Sequence, residues 1–200
     1  MTLRGEMRAV SMNEVRQRLR VAVEIAESGS PLMVLEHGHP AAVMLRFDEV
    51  ERAIRLERAL SALHGLEVYP ELARDTSELA ALVAGRIRPN LTATRRLAAQ
   101  PREILAPLRT VGVREMQRVV AEVIDRVQAG QPMTISLDGG LLAVLISPSE
   151  FDRLRELTRI ESWFRAAGLD LASAADEAAI ADFVRRIRER PAAQAESAAS

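Results

Sequence analysis

Cysteine is absent from the 200 residues, which removes disulfides and thiol catalysis and agrees with a reducing cytoplasm. There are three histidines, too few for structural zinc, which wants about four ligands. His37 and His39, either side of Gly38, are therefore read as part of a turn, and no cofactor or metal is expected. Aromatic residues make up 3% of the chain, so the few present are scarce core material. Lysine is missing too: every basic side chain is arginine, which suits bidentate contacts to phosphate and guanine but also follows from GC-rich coding. No apolar run approaches the ~20 residues that span a bilayer, and Met1-Thr2-Leu3-Arg4 does not begin a signal peptide. A cytoplasmic protein without membrane contact is expected. There is no glycine-rich phosphate loop, no histidine placed to activate Ser147 or Ser149, and no carboxylate pair in an evident pocket. The chain reads as a non-enzyme.

What is present is a repeat. Sliding residues 7–60 onto 108–161, a gapless shift of 101, makes twelve positions agree: Arg8, Val10, Glu14, Gly29, Pro31, Gly38, Ala42, Val43, Glu49, Arg52, Leu56 and Arg58 fall on Arg109, Val111, Glu115, Gly130, Pro132, Gly139, Ala143, Val144, Glu150, Arg153, Leu157 and Arg159. Composition alone would give roughly three or four. The matches fall on a Gly-x-Pro, a turn glycine and the hydrophobic phase, which are backbone requirements, so one fold is present twice. The 48% hydrophobic content suffices for a core.

Each copy opens with a short strand, Met7 to Val10 and Leu108 to Val111. An amphipathic helix follows, with apolar positions Met12, Val15, Leu19, Ala22, Val23 and Ala26 matched by Val113, Met116, Val120, Val123, Ile124 and Val127. Ser11 with Glu14 makes a capping box; Gly112 with Glu115 lacks the side-chain acceptor. Gly29 and Gly130 end the helix, and Pro31 and Pro132 stop it resuming. Two β runs come next, Leu32 to Glu36 with Ala41 to Leu45, and Met133 to Leu137 with Leu141 to Ile146. They turn at His37-Gly38 and at Asp138-Gly139, the stronger hairpin signal. Ser147-Pro148-Ser149-Glu150 caps a second helix, and Asp48 is the expected cap in the first copy.

Beyond residue 60, Ala73, Asp75, Ala80 and Val83 still superpose on Ala174, Asp176, Ala181 and Val184. The expected organisation is a first unit over 1–60, a helical arm over 61–84, a connector over 85–107, a second unit over 108–161, a second arm over 162–190 and a disordered tail over 191–200.

The second copy, with Leu108-Arg109-Thr110-Val111, Gly130-Gln131-Pro132-Met133-Thr134-Ile135 and Asp138-Gly139-Gly140-Leu141-Leu142-Ala143-Val144-Leu145 running into Glu150-Phe151, resembles the Phd/YefM family of type II antitoxins. The first copy keeps Ala9-Val10-Ser11, Gly29-Ser30-Pro31 and Gly38-His39-Pro40-Ala41-Ala42-Val43, but departs at Arg46-Phe47-Asp48-Glu49-Val50. The resemblance covers about half of the chain and implies an α+β fold of strand, helix, hairpin and helix in two tandem Phd/YefM-like units. It further implies chain pairing through the fold, operator DNA held by the N-terminal region, and a cognate protein toxin neutralised by a C-terminal segment. A tandem pair would close on itself as an intramolecular pseudo-dimer; association of two chains as a homodimer stays open.

Positive charge gathers where each copy begins. Arg8, Arg16 and Arg20 with Asn13 and Gln17, and Arg109, Arg114 and Arg118 with Gln117, form the expected DNA-binding set, arginine for phosphate and the amides for base edges. A solvated helix face is the plainer reading of the same stripe. The duplication suggests a roughly palindromic operator. Trp163, Phe164, Ile180, Phe183, Val184 and Ile187 form an apolar stretch that either docks a toxin or caps the core of the pseudo-dimer. The expected function is an antitoxin that neutralises a toxin through its arms and represses its own operator. The alternative is a scaffold module on a duplicated antitoxin fold that no longer binds DNA.

Overall fold

A computed structural model describes residues 7–88, 92, 109–173 and 177–189. Leu108, the prolines and Asn90 assigned to the connector, and the tail 191–200 lie outside them. Two compact units emerge, Met1–Arg52 with Glu103–Arg155, and Ala53–Arg102 with Glu156–Ser200. Each therefore draws on both copies.

The first unit is built on one six-stranded sheet of order β1-β2-β3-β6-β5-β4. Its strands are β1 (Arg8–Ser11), β2 (Leu32–Glu36), β3 (His39–Arg46), β4 (Arg109–Gly112), β5 (Met133–Leu137) and β6 (Gly140–Ile146). β1 runs parallel to β2 with Arg8 opposite Leu32, and β4 runs parallel to β5 with Arg109 opposite Met133. The two hairpins share even their irregularity, a register shift at Val34/Leu35 and again at Ile135/Ser136. Their turns are alike: His37 (φ 49°) with Gly38 (φ 84°), and Asp138 (φ 51°) with Gly139 (φ 84°). Two consecutive left-handed residues form the type I′ turn that suits the strand twist, so His37 takes the role Asp138 signals more clearly.

The copies meet where β3 pairs antiparallel with β6, Val43 opposite Ile146, Met44 opposite Leu145, Leu45 opposite Val144 and Arg46 opposite Ala143. This pairing turns two three-stranded halves into one sheet and makes the intramolecular pseudo-dimer.

Helices cover one face. In the first copy they are α1 (Met12–Gln17) and α2 (Leu19–Glu27); in the second, α5 (Val113–Gln128). The one amphipathic helix expected in the first copy is divided in two, and the one expected in the second is present with a kink. Arg18 (φ −131°, ψ 39°) breaks the first and Val119 (φ −119°, ψ 27°), its equivalent, kinks the second. No glycine or proline marks the site, and the apolar spacing stays in phase across it, with Val15 and Leu19 buried in one copy and Met116 and Val120 in the other. Periodicity alone is blind to such a break. Leu19, Val23, Leu32 and Met44 join Val120, Ile124, Ile135 and Leu145 in one continuous core, each large side chain contributing about 1.5–3 kcal/mol relative to exposure.

The hairpins lead into α3 (Phe47–Gly65) and α6 (Pro148–Ala166). Ser147 and Glu150 cap α6 reciprocally, Glu150 N–H donating to Ser147 Oγ at 3.2 Å and Ser147 N–H to Glu150 Oε2 at 2.7 Å. Asp48, the cap expected in the first copy, lies inside the first turn of α3 and pairs with Arg46. Arg46 occupies the position of Ser147 and has no hydroxyl to cap with. Beside it, burial first and Asp48 second push the Glu49 carboxyl up to about 7.

The second unit holds the remainder of α3 and α6, a 3₁₀ turn at Pro70–Leu72, α4 (Thr76–Val83) and α7 (Glu177–Glu189). Asp75 caps α4, accepting from Glu78 N–H at 2.8 Å. The first residues of α4 and α7, Thr76 and Glu177, are again related by the shift of 101, so the repeat extends into the arms. Arg159 on α6 donates to the Ala73 carbonyl at 3.0 Å, and Arg188 on α7 donates to the Leu66 carbonyl at 3.2 Å, tying the first arm to the second copy's helices. No helix among the described residues is long and apolar enough to cross a membrane.

Candidate nucleic-acid interface

β1 and β4 are the two edge strands, and each runs directly into its helix. The fold thus carries equivalent basic segments to equivalent places in the first unit. All nine residues of the expected DNA-binding set are exposed: Arg8 and Arg109 on the edge strands, Asn13, Arg16 and Gln17 on α1, Arg20 on α2, and Arg114, Gln117 and Arg118 on the first half of α5.

The start of α1 is held by a complete capping box. Glu14 N–H donates to Ser11 Oγ at 3.2 Å and Ser11 N–H to Glu14 Oε2 at 2.7 Å. These bonds to Ser11, backbone first and hydroxyl second, hold the Glu14 carboxyl below the usual carboxylate range. Gly112, at the matching place, offers no side-chain cap.

α1 and α5 touch, and a cleft of about 330 Å³ opens between them, with Met12, Asn13 and Arg16 on one side and Arg118 to Glu122 on the other. Two nearby arginines are engaged: Arg20 with Glu24 at 3.2 Å and Arg126 with Glu122 at 2.5 Å. Arg8, Arg16, Arg109, Arg114 and Arg118 form no ion pair among the described residues. Exposed guanidinium groups without a carboxylate partner are the form in which arginine takes phosphate or a guanine edge.

Arg18 is also exposed beside these residues, a position the sequence reading does not single out. A continuous helix would turn position 18 toward the apolar stripe of Val15 and Leu19; the break at Arg18 itself leaves it exposed. The unusual dihedral has no local signal in the sequence.

The six residues of the expected toxin-binding stretch lie elsewhere. Trp163, Phe164, Ile180, Phe183, Val184 and Ile187 are all buried, Phe164 completely. Trp163 meets Phe164 edge-on at 4.8 Å between ring centroids, and Phe164 meets Phe183 at 5.8 Å. These residues pack with one another in the second unit and are not members of the core cluster that the sheet's strands and the N-terminal helices share. In the first copy the places equivalent to Phe164, Ile180, Phe183 and Val184 carry Leu63, Leu79, Leu82 and Val83, also buried, so aliphatic and aromatic side chains from both arms make up the interior of the second unit.

A family model described as "Antitoxin Phd_YefM, type II toxin-antitoxin system" matches residues 7–68 and again 109–180. The "Orphan antitoxin YefM" of Salmonella typhimurium (strain LT2) is 36% identical over 67 residues, which cover 31% of this chain and 89% of that protein. No solved structure matches.

Proposed function

Because the chain belongs to the Phd_YefM antitoxin family through both of its copies, we propose that it is the antitoxin of a type II pair: it binds operator DNA as an autorepressor and neutralises a cognate protein toxin through its helical arms, in the cytoplasm. The observation that supports operator binding best is the repeated placement of exposed, unpaired arginines. Arg8, Arg16, Arg109, Arg114 and Arg118 converge on one unit in which the copies are related by an approximate two-fold, the arrangement that suits a duplex with two half-sites.

Purified chain should retard duplex DNA from upstream of its own gene, with affinity that falls steeply as salt rises. Arg114→Glu with Arg118→Glu should abolish the shift and leave the fold unchanged. A chain that shows no salt-dependent shift would instead act as a scaffold on a duplicated antitoxin fold.

Toxin neutralisation through Trp163, Phe164, Ile180, Phe183, Val184 and Ile187 requires the arms to exchange internal contacts for toxin contacts, since the six are buried. The chain has one tryptophan, so its emission, after subtraction of the added protein's own, reports on the surroundings of Trp163. Adding the small protein encoded next to this gene should shift the Trp163 emission if the arms open around the toxin. Toxin inhibition with unchanged emission would place the contact on the outer surface of the arms, and no inhibition at all would refute neutralisation.

A further inference from the structure

We infer that the chain reads a non-palindromic operator, because fusion of the copies has placed different base-reading side chains at equivalent positions of the two half-site readers. This inference deepens the operator-binding proposal and rests on it.

The approximate two-fold is fixed by backbone pairing, independently of any exposed side chain. In β3–β6, Met44 stands opposite Leu145, and the shift of 101 that relates the copies maps one onto the other; pairing then proceeds symmetrically, Val43 to Ile146 and Leu45 to Val144. Residues related by the same shift therefore occupy related places on the outer face of the N-terminal helices.

At those places the chemistry differs. Asn13 corresponds to Arg114, Arg16 to Gln117 and Gln17 to Arg118, and all six are exposed. Arg20 corresponds to Ala121, also exposed. Asparagine and glutamine pair bidentately with adenine, whereas arginine pairs with guanine O6 and N7. Amide and guanidinium have thus been exchanged at three consecutive reading positions, and a cation has been lost at the fourth. Arg8 and Arg109, by contrast, are the same residue on equivalent edge strands, as expected for groups that grip phosphate without reading sequence.

A dimer of identical chains cannot escape identical readers, so its best operator is an inverted repeat. A fused pair is free of that constraint. Adenine and guanine preferences should swap between the half-sites at the positions read by residues 13/114, 16/117 and 17/118. An inverted repeat of either half then carries mismatches in one reader and should bind at least about tenfold more weakly than the asymmetric site.

The test is selection from a random duplex library with the full chain, repeated on a variant carrying Arg114→Asn, Gln117→Arg, Arg118→Gln and Ala121→Arg, which gives the second copy the reader of the first. The expected result is an asymmetric consensus for the natural chain that becomes an inverted repeat for the variant. An inverted repeat selected by the natural chain would overturn the inference and leave operator binding standing. Salt-dependent binding without any enriched sequence would do the same. Failure to retain DNA at low salt would overturn both.

Discussion

Met44 and Leu145 stand directly opposite each other at the centre of the sheet, both fully buried, and each is the other's equivalent in the repeat. The approximate two-fold of the molecule passes between them. A contact between equivalent residues of two units is what an isologous dimer interface contains; here it lies within one chain. Met44→Ala and Leu145→Ala should each cost about 2–5 kcal/mol in urea unfolding. The double variant should depart from additivity by about 0.5–3 kcal/mol, as touching residues do. Additive costs would mean that the copies do not share this contact.

The two helix starts differ in one testable way. Ser11 caps α1 through its hydroxyl, while Gly112 caps nothing yet has the extended conformation a capping serine needs (φ −72°, ψ 149°). A Cβ there would meet no atom within 4 Å beyond its chain neighbours. Ser11→Ala should therefore destabilise by about 1 kcal/mol, and Gly112→Ser should stabilise by a few tenths to about 1 kcal/mol. Thermal unfolding of both variants checks the pair, and a destabilising Gly112→Ser would contradict the capping geometry.

Glu49 gives the fold a pH dependence of definite sign. Its carboxyl is raised from 4.5 to about 7, so its favourable contribution is complete below about pH 4.5 and is lost as pH rises through 7. Glu49→Gln removes the cost of ionising there. Relative to that variant, the natural chain should lose up to about 2 kcal/mol of stability between pH 4.5 and 8, an amount already reduced for the group's partial exposure. Parallel stability–pH curves for the two proteins would show that Glu49 titrates normally.

Under the proposed operator binding, Arg8 and Arg109 would hold phosphate on the two half-sites and should act alike. Each Arg→Ala change should weaken DNA binding uniformly across sequences and reduce the slope of log affinity against log salt by about 0.9. A loss confined to particular sequences would assign them to base reading instead.

The duplication and its element order were legible because they rest on backbone needs: Gly29 and Gly130 at helix ends, Gly38 and Gly139 in tight turns, and apolar stripes of helical period. Three features were not. The break at Arg18 and Val119 falls between apolar positions that stay in phase, so no pattern betrays it. Asp48 was read as a cap because acids often cap helices, but Phe47 already lies in the helix and Arg46 precedes it. The apolar stretch from Trp163 to Ile187 reads equally as a docking face or an interior, since a sequence gives hydrophobicity without what covers it; the mutual packing of Trp163, Phe164 and Phe183 is visible only in three dimensions. Asn13, Arg16 and Gln17, and Arg114, Gln117 and Arg118, are each visible in the sequence, but that they occupy related places follows only once the two-fold is located.

The central claim, that the two copies clasp each other within a single chain, is tested most directly by a disulfide. The natural chain has no cysteine, so Val43→Cys with Ile146→Cys introduces a unique pair. These positions are register partners in β3–β6, and opposed residues in an antiparallel pair lie within disulfide range. Oxidised at low concentration, the variant should form an intrachain bond in nearly every molecule, keep the mass of one chain and migrate faster than its reduced form. Crosslinked dimers, or thiols that stay free in the folded protein, would contradict the account.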